Sequence, residues 1–433
     1  MSKINIMSLG GLNENGKNIY TVNIDGKILI FDCGIKYAPD KVYGIDYVIP
    51  DFSYLVKNKE NIVGLFISHP HHENMGALTD LLKLIPELQV YASPYTCEII
   101  KIQCAEEKVQ IKNLNVIPAH KKIDFENFSV FPFNVTHSSP ETYGFSINTE
   151  DGAIVYMADF VIDPTMSGHY DMDLGKLAYI GKQGVLCLMA ESVFAEKKGH
   201  TSPNHKLEGF FKKLVDKQEG RIIFTVLPLH IYTIQEIFNS IKGKDRKVVI
   251  MGKELHSIVN LCIKTGYLNV DENLIGNLTD LKNDNTIILI SNDREAPYTN
   301  INRILAGHDK FITLEQTDTI CFAEPSYDAY EKMLVKIMNE LAIKGVNIAP
   351  IPKDKKILVG PEIITRGFIY QKDNMDIIDE IKRISLENIK ENTFNEKYAD
   401  YVKIRNEMRE KVGAYLFKTT QCKPVILTVI QEI

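Results

Sequence analysis

The segment Phe66-Ile-Ser-His-Pro-His-His-Glu-Asn-Met-Gly-Ala77 decides how this chain is read. The apolar run from Val63 to Ser68 has the character of a buried strand, and a helix is expected from about Ala77. Between them lie His69, His71, Glu73 and Asn74. Two imidazoles two residues apart on one loop can converge on one ion, and zinc accepts imidazole readily. A lone His-x-His is more often structural or accidental than not. The acid and amide directly after it, in a strand-to-helix setting, shift the balance toward the relic of a metal site.

Working outward, short apolar runs bounded by Gly, Asn or Asp predict strands at Ile4–Ser8, Ile19–Ile24, Lys27–Phe31, Gln89–Ala92, Phe128–Phe133, Tyr143–Thr149 and Ala153–Met157. Asp25-Gly26 is a hairpin signal. The opening region is therefore a β-rich layer with a few helices. His137 sits between two of these strands, and Asp159 follows another, where a carboxylate can bridge metals. Asp32 ends the strand Lys27–Phe31 and is either an orienting partner for a ligand or a turn Asp. Singly, His137 is equally a loop histidine. The order His-x-His, then His, then Asp, each after a strand, is far more specific.

Beyond Val185–Ala190 the pattern becomes strand–helix alternation: Arg221–Pro228, Ile231–Lys242, Lys247–Met251, Glu254–Gly266, Thr286–Ser291, Thr319–Ala323 and Tyr327–Lys344. This is the signature of a parallel α/β unit. Ser202-Pro203 marks a helix start. Glu191 and His230 both follow strands, where sites in open sheets gather. The plainer readings are a capping Glu and a surface His. Pro350-Ile-Pro352 marks a linker. After it, strands at Ile357–Val359, Phe368–Tyr370 and Val425–Ile430 and helices at Met375–Glu391 and Tyr398–Lys418 predict a small α+β domain.

Bulk properties set outer limits. The 433 residues suffice for two to three domains, with 45% hydrophobic and 24% charged residues. A net charge of -6 excludes a generally basic nucleic-acid binder, so any such surface is a local groove. Seven Cys without a C-x-x-C pair fit reduced thiols and a cytoplasmic location. No apolar run reaches the length of a membrane span, and no membrane association is expected.

Together these segments resemble the ribonuclease J family, the β-CASP branch of the metallo-β-lactamase superfamily. The resemblance runs through Ser8–Asn18, Gly44–Asp51, the His69 loop, His137, Ala158-Asp-Phe160, Glu191–Ala195, Gly199–Ser202, Leu227–His230, Gly360–Tyr370 and Thr419–Ile426. It implies an incomplete metallo-β-lactamase αββα sandwich over 1–192, a β-CASP α/β domain over 193–350, and a C-terminal α+β oligomerisation domain over 353–433. It implies His69, His71, His137 and Asp159 as metal ligands, and Glu73 in place of a second-metal Asp. Asn74 stands where the family has a ligating His. Glu191 and His230 match two β-CASP catalytic motifs. Arg294, in Ser291–Pro297, occupies the position of a phosphate-contacting loop, although a solvated turn Arg is the plainer account.

The departures are as informative. After Pro350 the family has a Ser-Gly-His segment, a further helix, a last metal histidine and the closing part of its first domain. Here the chain passes directly to Lys353. The expectation is one bound Zn (or Mn or Mg) and no two-metal centre. The expected function is a ribonuclease J-like protein of RNA processing and decay, catalytically impaired or inactive, pairing with itself or with an active ribonuclease J. The alternatives are a weak one-metal 5′ exo- or endoribonuclease, and an RNA-binding module.

Overall fold

The computed structural model describes residues 2–37, 45, 47–193, 195, 206–291, 298–324, 331–349, 351, 375–393 and 401–421. The Arg294 loop, the helix start at Ser202 and the strands expected at 357–359, 368–370 and 425–430 lie outside the described residues.

Two sheets form the first layer pair. One has six strands in sequence order: Ile4–Gly10, Ile19–Ile24, Lys27–Phe31, Ile62–Phe66, Gln89–Ala92 and Asn113–Val116. Its first three strands are antiparallel and the rest parallel. The other runs Val185–Ala190, Gly152–Met157, Tyr143–Thr149, Ser129–Asn134, Ile123–Asp124. Period-two alternation assigns the faces. Leu29 and Phe31 point inward with Phe66 to meet Val130, Phe145 and Tyr156 of the facing sheet. Ile28 and Ile30 point outward, onto the helices Leu78–Leu84 and Pro94–Glu106. The helix Leu174–Gln183 lies beside the second sheet, where Ile180 packs with Val155.

The helix Pro94–Glu106 is absent from the sequence-based expectations, yet its start is locally encoded. Pro94 stands in its first turn, and Ser93 Oγ accepts from Thr96 N at 3.2 Å. The helix expected from about Ala77 is Leu78–Leu84, and a further short helix, His72–Met75, precedes it.

Among the described residues, Val185–Ala190 is the edge strand of the second sheet. This edge strand carries no charge, and Leu186 and Leu188 are 51% and 60% exposed. Natural sheets normally cover or charge such an edge. These two leucines leave apolar surface of the strand in solvent.

A third, wholly parallel sheet has the order Lys247–Met251, Thr286–Ser291, Ile222–Val226, Thr319–Phe322, Asn347–Ile348. Helices Ile231–Ser240 and Lys253–Thr265 cover one face and share a core with the helices Leu78–Leu84 and Pro94–Glu106. Helices Thr299–Leu305 and Glu331–Ile343 cover the other. All three sheets belong to one compact unit, 1–193 with 201–351. In a second unit, the helices Met375–Thr393 and Tyr401–Thr420 pack through Ile381, Ile404, Met408 and Leu416.

Candidate metal centre

The site begins at the C-terminal end of Lys27–Phe31. Asp32 adopts a left-handed φ of 59° and is fully buried. Its carboxylate accepts from Ser68 N at 2.7 Å, Ser68 Oγ at 2.9 Å, Asn74 Nδ2 at 2.7 Å and Tyr156 OH at 2.5 Å. Burial pushes the Asp32 carboxyl up, and the His69 charge with these donors acts against that.

The network sets the His69 tautomer. Ser68 Oγ gives its proton to Asp32, so His69 Nδ1 donates to Ser68 Oγ at 2.9 Å. Its Nε2 is the nitrogen left to face Asp159 Oδ2, 3.2 Å away. An imidazole nitrogen and a carboxylate oxygen this close hold a cation or a proton between them. His137 Nε2 and His71 Nδ1 approach to 3.1 Å. The ligand atoms of His69, His71, His137 and Asp159 all lie within 4.8 Å of one another. Tetrahedral zinc with ligands at its usual bond lengths needs separations of about 3.4 Å, which lies between the shortest separations here and their 4.8 Å limit. Three imidazoles and one carboxylate are a suitable zinc set, and these residues fit one ion. Burial holds the His137 ring well below its usual range, at about 3, keeping it neutral as a ligand must be.

The surrounding candidates divide. Phe160 N donates to Glu191 Oε1 at 3.0 Å. Burial, the Asp159 charge and a hydrogen bond to Asp159 raise Glu191 to about 9. Burial would raise Asp159 as well, but the hydrogen bond and charge of His69, with His137 and Glu191, hold it low. Glu191 therefore carries the shared proton. His230 stacks on His71, with ring centroids 5.0 Å apart and planes 21° from parallel. Its Nε2 is buried with no hydrogen-bond partner among the described residues, and burial lowers it to about 4.

Glu73 does not join the cluster, and the Asn74 amide is committed elsewhere. Asn74 is fully buried and directed to Asp32. Glu73 is held by its backbone. Its carbonyl accepts from Asn18 N, and a Cβ on Gly34 would stand 1.5 Å from that oxygen. The loop Asp32–Gly34 and the loop His71–Asn74 thus pack backbone to backbone, with Cys33 N donating to Asn74 O at 2.6 Å. Sequence reasoning passed over Ser68 and Tyr156. Ser68 is adjacent to His69, and Tyr156 is three residues before Asp159, but only the facing sheets bring both hydroxyls to Asp32.

Known families match in three stretches. The ribonuclease J beta-CASP domain matches 219–341, the ribonuclease J C-terminal domain 334–433 and a beta-lactamase superfamily domain 30–178. The chain belongs to the ribonuclease J family. It has the metallo-β-lactamase fold with β-CASP and C-terminal domains. It is 25% identical to Ribonuclease J 2 of Staphylococcus aureus over 554 residues, covering 99% of this chain and 98% of that one. Ribonuclease J 2 of Staphylococcus epidermidis is also 25% identical, over 549 residues with the same coverage. An alignment of 554 positions against 433 residues leaves more than a hundred positions of the relative without a counterpart here. The two ribonuclease J matches overlap at 334–341. Among solved structures, a protein of unknown function from Enterococcus faecalis shares the fold at a TM-score of 0.54 and 14% identity, covering 81% of this chain and 88% of that one.

Proposed function

We propose that this ribonuclease J-like protein is a single-metal, catalytically impaired subunit of RNA processing and decay that pairs with an active ribonuclease J. The observation that carries this reading is Asn74. The position expected to serve a second ion is spent on a buried hydrogen bond to Asp32, while the first four ligands stay together. His69, His71, His137 and Asp159 hold the one ion, and Arg294 contacts RNA phosphate. A divalent ion bound there supplies Lewis-acid polarisation of a phosphoryl oxygen. Asp32 and Ser68 keep His69 in its ligating tautomer. Glu191 hydrogen-bonds to Asp159, and His230 stacks on His71.

Phosphoryl chemistry with two metals clamps both the attacking and the leaving oxygen. Loss of even one oxyanion donor costs about two to three orders of magnitude in rate, so the loss of one ion costs at least that. The second reading, a slow one-metal ribonuclease, is favoured by the position of Glu191, a buried carboxyl hydrogen-bonded to Asp159 where a general acid could act. The two are separated by incubating zinc- or manganese-loaded protein with 5′-monophosphorylated RNA, alone and with an active homologue. Association by light scattering with no hydrolysis by the chain alone supports the first. Hydrolysis that disappears in His69→Ala supports the second. Absence of both activity and association overturns both.

A further inference from the structure

A cleft of about 500 Å³ opens at the C-terminal ends of Lys247–Met251 and Thr286–Ser291, away from the metal cluster. Its size suits a small ligand, and strand ends of a parallel sheet are where ligands of such folds bind. The floor is apolar, with Met251, Ile290 and Ile304, and Phe311 stands on its rim with 59% of its surface exposed. Lys253 and Arg303 supply the charge. No Asp or Glu is among its described lining residues, in a chain whose acids outnumber its bases by 56 to 50. Asp309 takes Nε and Nη2 of Arg303 at 3.1 and 2.8 Å, which fixes the guanidinium and partly neutralises it. Lys253 therefore carries most of the attraction for an anion. At Gly252, φ is +114° and a Cβ would lie 3.1 Å from Ser291 Cβ, so the backbone forms the end wall.

An exposed aromatic over an apolar floor, with Lys253 and the Asp309-paired Arg303 at the rim, matches a nucleotide, which is a flat base joined to an anionic phosphate. We infer that this cleft binds one nucleotide of a single-stranded RNA, its base against Phe311 and its phosphate toward Lys253. The strand that leads to His230, Ile222–Val226, is the next neighbour of Thr286–Ser291 in the same sheet. With strands about 4.8 Å apart, the cleft opens roughly 5–10 Å along the edge from that strand. It is therefore a second contact for the strand that the metal centre holds. This inference rests on the RNA reading above.

The test uses the full-length chain, a fluorescent 5′-monophosphorylated heptanucleotide RNA and AMP. Phe311→Ala and Lys253→Glu, both exposed positions, should each weaken RNA binding roughly ten-fold, as expected for loss of one stacked base or one phosphate contact. A 4-thiouridine form of the RNA should photocrosslink to the peptide 299–311, and AMP should compete. AMP binding without RNA binding leaves the cleft a free-nucleotide site and overturns the RNA reading. RNA binding of wild-type strength in both variants, with no crosslink in 299–311, overturns the cleft and leaves the RNA reading intact. Binding of neither ligand overturns both.

Discussion

Asn74 Nδ2 donates to Asp32 Oδ2 at 2.7 Å, inside a fully buried pocket where the same oxygen also accepts from Ser68 and Tyr156. An amide at this position does for the fold what an imidazole would do for an ion. It satisfies a buried carboxylate and seals the loop. Asn74→Ala should cost about 1–3 kcal/mol in urea denaturation, because it strips a donor from a buried charge. Metal stoichiometry by native mass spectrometry should stay at one ion. Two ions in the wild type would refute the single-metal reading.

Ser68 acts on the metal through His69. Ser68→Ala leaves all four ligand side chains but frees the His69 ring to rotate and change tautomer. Loss of such a supporting hydrogen bond typically lowers affinity about 10- to 100-fold. Zinc titration against a chelating dye should show this shift, whereas His69→Ala should abolish stoichiometric binding. Equal affinities for Ser68→Ala and wild type would remove the tautomer argument.

Gly34 is required by geometry. Gly34→Ala places a methyl 1.5 Å from the Glu73 carbonyl oxygen, so one of two backbones must move. The expected loss is about 3 kcal/mol or more, since neither neighbour is a flexible side chain. Thermal melting should show it, together with weaker metal binding, because the displaced loop carries His71.

Glu236 predicts a pH dependence of stability. Its Oε1 accepts from Leu207 N at 2.9 Å and Glu208 N at 3.2 Å, while its Oε2 is buried without a partner among the described residues. Burial raises it from 4.5 to about 7, against the pull of those amides. The folded state therefore holds the proton more tightly than the unfolded state. This group's contribution is largest below pH 4.5 and falls as pH rises through 7, by about 3 kcal/mol at most. Glu236→Gln keeps the acceptor and should flatten that part of the stability curve. An unchanged slope in the variant would exclude Glu236 as its source.

Leu186 and Leu188 line an open strand edge. Leu188→Lys should change stability by no more than about 0.5 kcal/mol, as a surface substitution does. It should also reduce concentration-dependent aggregation measured by light scattering, because a charged edge resists pairing.

The strands at Ile19–Ile24, Lys27–Phe31, Gln89–Ala92, Tyr143–Thr149, Val185–Ala190, Lys247–Met251 and Thr286–Ser291 were legible to the residue. Their alternation or continuous apolar character is a local property. The helix Pro94–Glu106 was not, because its apolar residues are too scattered for a clear periodic face and only its cap announces it. Family membership was legible too, since it depends on short motifs in a fixed order.

The sequence alone therefore determined which residue types were available and in what order: three imidazoles, a carboxylate, and an amide where a ligand was expected. It also determined that a segment was missing. Tertiary structure decided where those groups point. His69 and Asp159 lie 90 positions apart and meet only because two sheets pack face to face. Asn74 turns to Asp32 because an unpaired carboxylate in that core would be costly. The cleft beside Phe311 is invisible in sequence for the same reason: its walls come from separate strands and helices that only the folded sheet aligns.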